Sequence, residues 1–497
     1  MNTQNKLRIV GGLLLGAGMA SVYAAGETEV EMPRYPKACD TKTLPNGYVW
    51  PAISSVLPYD KQSYKTSKSE AIVETPSECN VFETQKAFDL FSWGTFVALN
   101  WPADEQGNPL KAEIGSTPKA PRVWETYLAP SQIFKPDGSM PDAWGTPEKS
   151  HTKSKGGRSL KDTSKRAHIL DEVDEAFFNK ETPLPPIVDL NKAYVRYEVR
   201  INKSEYDYIV TNQLYNLEGQ SAFLANSKAK IEFPKGVSGS SPVRGAMELK
   251  VAWKKLGEND DASKFHTIHP EVYDPNSKTY SSGAAYGMVG MHIMVRTEDA
   301  PEWVWATFEH VDNAPIVDLR GAKKHSVSYD PNKKYNFWSK DKGLSSLGGF
   351  SDKSYAAMLA AQKVNVKAGK PADDYSQPMA ERIPSQITQV VTTNNEVAVS
   401  EWTGYLNAQM QEKLEGTVWE NYRLISTQWP VNPGVKPAGN PAPISLGNPV
   451  METYMQVNGS CMNCHAGATY GPDGNDTNLA NFSFMLQRAQ SKKKSTN

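Results

Sequence analysis

The residues whose types and spacing promise chemistry lie late in the chain, in Gly459-Ser460-Cys461-Met462-Asn463-Cys464-His465. Two thiols separated by two residues and followed directly by an imidazole make a C-x-x-C-H signature. This is the pattern of covalent haem c attachment. Both sulfurs add across vinyl groups on one porphyrin edge, and the histidine swings beneath the ring as the proximal iron ligand. With four Cys and eight His in 497 residues the pattern rarely arises by chance. Two other chemistries use such a cysteine pair. A structural zinc ion needs about four ligands, and neither a second C-x-x-C nor an H-x-x-x-H accompanies this one. A thioredoxin-type pair expects a βαβ context and leaves the histidine without a role. The predicted cofactor is therefore one haem c, with Cys461 and Cys464 as covalent anchors and His465 as proximal ligand.

The opposite side of such an iron has three candidates. Met485 follows the motif by about twenty residues and reads either as a distal thioether ligand or as a core residue beside Phe482, Phe484 and Leu486. His292 alternates with Gly290 and Met294 on one expected strand, and His310 with Val304, Ala306 and Phe308 on the next. Each is read as a haem-side acid–base group or as a hydrogen-bonded core histidine. His266 and His269 are three apart, so on a strand they face opposite sides and do not share a metal. The stretch Asp473-Gly474-Asn475-Asp476-Thr477-Asn478 lacks the central glycine and final glutamate of a calcium loop and reads as an ordinary turn. No P-loop, G-x-S-x-G or H-E-x-x-H is present, which removes motif support for phosphoryl transfer, triad hydrolysis and zincin chemistry.

The elements that must position these groups follow in chain order. Lys6 and Arg8, the apolar run Ile9 to Met19 and the small residues at Val22-Tyr23-Ala24 form a signal peptide over residues 1–24, cleaved near Ala24. The run is too short to span a membrane, and no cysteine follows for a lipid anchor, so a periplasmic or secreted protein without a transmembrane anchor is expected. In that oxidising compartment Cys39 and Cys79 are expected to pair as a disulfide, the alternative being two buried thiols. Residues 25–80 read as an extended segment stapled by that bond. The net charge of −1 and the absence of a basic stripe leave nucleic-acid binding without electrostatic support.

Residues 81–448 read as an α+β main domain. Asn80 with Glu83 looks like a capping box opening a helix that is apolar all round, through Phe88, Phe91, Phe96 and Leu99 to Asn100-Trp101-Pro102. Period-two alternation marks strands at Tyr194–Ile201, Met247–Trp253, Met288–Val295 and Trp303–Val311, with a helix from Ser204. Helical patterning is expected again over Tyr355–Val364 and around Trp402, Tyr405, Leu406 and Met410. It is read as continuing through Val418–Tyr422 to Pro430. The predicted fold is an antiparallel β-sheet core flanked by helices, with a small C-terminal helical haem c lobe at 449–497. There Asn448 caps a helix with Pro449 at its first position. Few residues remain after His465, so most of the haem pocket has to come from the preceding domain.

Several stretches together resemble a family of exported bacterial cytochrome c family proteins with a single C-terminal C-x-x-C-H site. They are Phe91 to Pro102, Met247 to Trp253, Gly290 to Thr297, Glu302 to Pro315, Val418 to Pro430, and the haem motif followed by Asn481 to Met485. The resemblance covers most of the mature chain. It implies one haem c on an exported scaffold and supplies no activity.

Size separates the functions that remain. An electron carrier needs about a hundred residues, whereas this chain spends several hundred more on one haem, an investment that suits a substrate site. The leading expectation is a haem oxidoreductase of peroxidase or oxygenase type, its substrate held by the large domain and His292 or His310 as acid–base group. The alternative is an electron-transfer cytochrome, six-coordinate through Met485 or a histidine, whose large domain docks a redox partner.

Overall fold

Alternation of apolar and polar residues builds the centre of the molecule, an antiparallel sheet. The computed structural model describes residues 39, 42–66, 79–152, 158–160, 187–226, 230–237, 243–274, 279–318, 327–340, 379–391, 401–453, 456, 459–472 and 477–493. The signal peptide, the helix expected over Tyr355–Val364 and positions 473–476 of the turn expected from Asp473 lie outside them.

The strands of the main sheet are β1 (Arg196–Ile201), β2 (Met247–Lys255), β3 (Tyr286–Val295), β4 (Val304–His310), β5 (Tyr422–Pro430) and β6 (Pro441–Ala442), in the order β6-β5-β4-β3-β2-β1. A short strand, Thr267–Ile268, pairs with the start of β3 and completes a seven-stranded sheet. The helices are α1 (Asn80–Leu99), α2 (Lys203–Thr211), α3 (Leu217–Ala225), α4 (Glu401–Lys413) and α5 (Cys461–His465), beside shorter turns. The fold is thus a mixed α+β structure with a large antiparallel sheet and few helices. Among the described residues no helix is long and apolar enough to cross a membrane.

One face of the sheet packs on α1 and α4. Leu249 and Val251 of β2, Met291 and Ile293 of β3, Ala306 and Phe308 of β4, and Tyr422 and Leu424 of β5 form this layer. The Phe308 ring stacks on Phe96 at 4.2 Å and meets Trp93 edge-on at 5.1 Å. Because apolar residues nearly surround α1 and its few polar ones find partners, it is buried along nearly its whole length. Its start differs from the expected capping box. Cys79 occupies the cap position with no side-chain cap bond. A disulfide from Cys79 to Cys39 ties the segment before the helix instead.

Two helical expectations are corrected. The stretch after Val418 continues as a 3-10 turn only to Asn421, and Tyr422–Pro430 is a strand paired with β4. Both of its faces are covered, so its apolar residues do not alternate, and it carries a bulge between Leu424 and Ser426. After Asn448 the chain makes turns rather than a helix over its described residues. The Asn448 side chain does accept from Val450 N, but its amide is spent on β4, donating to Thr307 Oγ1 and the Phe308 carbonyl, both at 2.9 Å.

Candidate functional site

The C-x-x-C-H residues form the single turn α5 on the face of the sheet opposite α1. Ser460 caps it by accepting from Asn463 N. Gln428 of β5 fixes its start: Oε1 accepts from Met462 N at 3.0 Å and from Ser460 Oγ at 3.2 Å, while Nε2 donates to the Pro443 carbonyl at 2.7 Å. Met462 is fully buried beneath the turn. The preceding segment lies flat on the strands. Gly290 permits this, since a Cβ there would stand 2.9 Å from Val450 Cγ2 and 3.2 Å from Met451 Cε. Tyr197 Oη of β1 donates to the Val450 carbonyl at 2.7 Å.

His465 is held from behind. Its Nδ1 lies 2.8 Å from the Phe482 carbonyl, which can only accept, so Nδ1 carries the proton and Nε2 keeps its lone pair. Burial lowers the pKa of the ring to about 4, so it is neutral at neutral pH. Trp305 of β4 packs 4.5 Å from it and Phe484 lies edge-on at 4.9 Å. Burial pushes both the Cys461 and Cys464 thiols up, the first well above its ordinary value. That environment opposes the thiolate that a redox pair or a zinc ligand requires. A thioether, having no proton to lose, carries no such penalty.

Beneath the motif, three adjacent strands share a row of incomplete burial. Val199 of β1, Lys250 of β2 and His292 of β3 are direct register partners, and each is the one incompletely buried residue within its strand's interior. Cys461, Cys464, His465 and Glu452 are likewise only half-buried. The charges of Lys250, His292 and Glu452 all act on His465, and those of Glu452 and Lys250 on Cys461. These partly exposed residues gather at mid-sheet beside α5 and border one accessible strip, here the recess.

The recess has its own charge pattern. His292 Nε2 stands 3.3 Å from Glu452 Oε2, an ion-pair distance that falls short of a formed hydrogen bond. Burial by itself would raise the Glu452 carboxyl. The neighbouring His292 and Lys250 charges and the Asn448 N–H, 2.8 Å from Oε2, more than offset it and hold the group below its ordinary range.

The two strand histidines part company here. The register pairs His292 with Thr307 and Gly290 with Glu309, which leaves His310 on the α1 face with Phe308. His310 is fully buried, stacked on Phe265 at 4.2 Å, with Nδ1 accepting from Asp312 N and Nε2 at 3.1 Å from the Lys264 carbonyl. It is a core histidine, and the expectation of a haem-side acid–base group at this position is corrected. Met485 sits in the apolar cluster with Phe482, Leu486 and Met462. His266 lies on the α1 face, 2.9 Å from Glu125 Oε1.

Lys250, Glu452, Gln428 and Trp305 were not among the sequence-derived candidates. Lys250 had a signal, as a polar position in the alternating Met247–Trp253 run beside the His292 strand. Glu452 had none, since only the fold brings it to His292. Among the described residues no three His, Cys, Asp or Glu side chains converge as a metal site. No protein-family model matches the chain, and neither a curated protein nor a solved structure does.

Proposed function

We propose that this chain is an exported monohaem c-type cytochrome, of the family its sequence resembles, working as a haem oxidoreductase of peroxidase or oxygenase type. In this reading Cys461 and Cys464 would hold haem c as thioethers and His465 Nε2 would ligate its iron. Val199, Lys250 and His292 would contact the bound group and the substrate. The observation that carries the reading is the His465 side chain: neutral, and anchored through Nδ1 so that Nε2 is left to coordinate. A backbone carbonyl on the far ring nitrogen is the usual support of a metal-bound histidine. Export is supported by the Cys39–Cys79 bond, which suits an oxidising compartment.

Haem c supplies one-electron chemistry and the activation of dioxygen or peroxide. The chain supplies the rest. His292 takes or gives a proton at its imidazole, and the ionised Glu452 beside it stabilises the charged ring. Lys250 places a positive charge on the recess wall, suited to an anionic group of porphyrin or substrate. Met485 follows Phe482 by three residues, and the Phe482 carbonyl meets the Nδ1 side of His465. The reading therefore places Met485 in the packing behind His465 and would leave it no ligand role.

Mass spectrometry and the optical spectrum of the purified holoprotein test this. The expected result is one covalent haem and a high-spin ferric iron that binds carbon monoxide when reduced. Turnover of peroxide or dioxygen should then fall by about 10²–10⁴-fold in His292→Ala. A low-spin spectrum indifferent to carbon monoxide hands the lead to electron transfer with both axial positions filled. A mature protein without covalent haem overturns both.

A further inference from the structure

We propose that Arg196 and Arg382 form an anion site, on the sheet face opposite the recess, that takes the carboxylate of a small organic acid with an apolar body. The proposal does not depend on the haem reading. Arg196 opens β1, the edge strand of the sheet. Its register partner is Trp253, whose Nε1 donates to Glu198, so its side chain stands on the α1 face. Arg196 is 8% exposed. Its Nη1 is buried without a hydrogen-bond partner among the described residues, and no ion pair there includes it. Tyr194 precedes it by two residues, so the two side chains leave the extended chain on one side. The Arg382 guanidinium lies over the Tyr194 ring, 3.7 Å from its centre. Both arginine charges act on the Tyr194 and Tyr286 hydroxyls, which gathers the two cations around the same two phenols. Arg382 is half-buried while Tyr194 and Tyr286 are buried. Exposure therefore sets Arg382 at the mouth and Arg196 at the floor.

A guanidinium cannot shed its proton, so a buried one needs an anion or acceptors. The chain around Arg196 supplies too few. Glu198 is taken by Arg158 and Arg200 besides Trp253. Asp189 accepts from Ala193 N at 2.8 Å through Oδ1, while its Oδ2 has no donor among the described residues. Burial, only partly offset by Lys254, raises that carboxyl to about 7, so it is part-ionised at neutral pH. Glu381 is exposed beside Arg382. Lys192 adds a further cation. Its Nζ donates to the Ala380 carbonyl at 2.7 Å, and its own carbonyl accepts from Arg382 Nη1 at 3.4 Å. Arg196, Arg382 and Lys192 thus meet one part-ionised carboxyl and one solvated one. A positive charge is left for a ligand to balance.

The donors select the ligand. A guanidinium presents parallel N–H groups that match the two oxygens of a carboxylate. Arg382 lies against the Tyr194 face, which holds its plane and leaves its edge to donate. The buried Tyr194 and Tyr286 rings give the site apolar walls. Such walls favour an organic acid, whose body replaces water there, over a strongly hydrated inorganic anion.

The test is calorimetric titration of the whole purified protein with benzoate, and with acetate and inorganic phosphate beside it. Benzoate should bind most tightly, and its affinity should fall about tenfold or more in Arg196→Gln and in Arg382→Gln. No benzoate binding, acetate or phosphate binding as tightly as benzoate, or variants that bind as the wild type does overturn the proposal. A second readout needs no ligand. A buried charge without a counter-ion destabilises the chain that carries it, and Met keeps the apolar stem. Arg196→Met should therefore unfold at a denaturant midpoint no lower than that of the wild type. A lower midpoint makes Arg196 a structural group and overturns the site. Arg382→Gln, at the half-exposed mouth, keeps the titration decisive where an Arg196 variant fails to fold.

Discussion

The two faces of the central sheet are built from the same strands and are finished differently. On the α1 face even the charged groups are closed off. Arg158 lies over the Trp124 and Trp253 rings, 4.9 and 5.1 Å from their centres, and pairs with Glu125 and Glu198. Burial would raise the Glu125 carboxyl, but Arg158 and His266 more than offset it and hold the group well below its ordinary range. Glu125 there meets both Arg158 and His266. On the motif face the row Val199–Lys250–His292 is left short of cover.

That contrast can be broken by mutation. Phe96→Ala removes a ring stacked between α1 and β4, and should cost up to about 5 kcal/mol in denaturant unfolding. His292→Ala on the opposite face should cost less than about 1 kcal/mol, because its ring nitrogen has no formed hydrogen bond to lose. Equal losses would dissolve the distinction. Cys39→Ser opens a cross-link spanning 40 residues. It should lower stability by about 4 kcal/mol in the chain-entropy model, with no change in the spectrum of the recess.

Smaller effects sharpen the comparison. Gly290→Ala puts a methyl against Val450 and Met451. It should cost about 1–3 kcal/mol and loosen the segment leading to α5, seen as faster amide exchange near Val450. The least effect comes from acid. Burial depresses His310 to about 4. The unfolded chain therefore takes up this proton from about pH 6.5 downwards while the folded chain does not. The stability this group contributes is complete above that range and is lost as pH falls towards 4. The loss should reach on the order of 1 kcal/mol by about pH 5.5, and His310→Gln should remove that part of the slope.

Much of the sheet is legible in the sequence because one of its faces is regular. Leu249 and Val251 alternate with Lys250, and Ile293 with His292, so period two marks these strands to within a few residues. Tyr422–Pro430 defeats the same reading. Leu424, Ile425 and Trp429 are buried on both sides of one strand, and a buried run has no period to detect. The motif is legible because its residue types stand at short fixed spacing within the sequence itself. Its surroundings are not: Glu452 meets His292 across 160 residues of chain, and no local pattern encodes such a meeting. Strand alternation within Val304–His310 does tell which residues share a face. It takes the pairing with β3 to tell which face holds the recess.

The bonds between α1 and β5 carry a consequence for the order in which the molecule is made. Gln85 Nε2 donates to the Thr427 carbonyl across 342 residues, Ser92 meets Thr427 Oγ1 across 335, and Trp429 Nε1 donates back to Gln85. A helix near the start of the domain thus waits for a strand made near its end. Contacts of such sequence separation are slow to form, because a long loop must close before they repay its entropy. During synthesis α1 has no partner strand, and its apolar surface, exposed on every side, is the natural handle for a holdase. A nascent chain that cannot lock early stays threadable, which is the condition a polypeptide must meet to pass through a translocation channel before it folds.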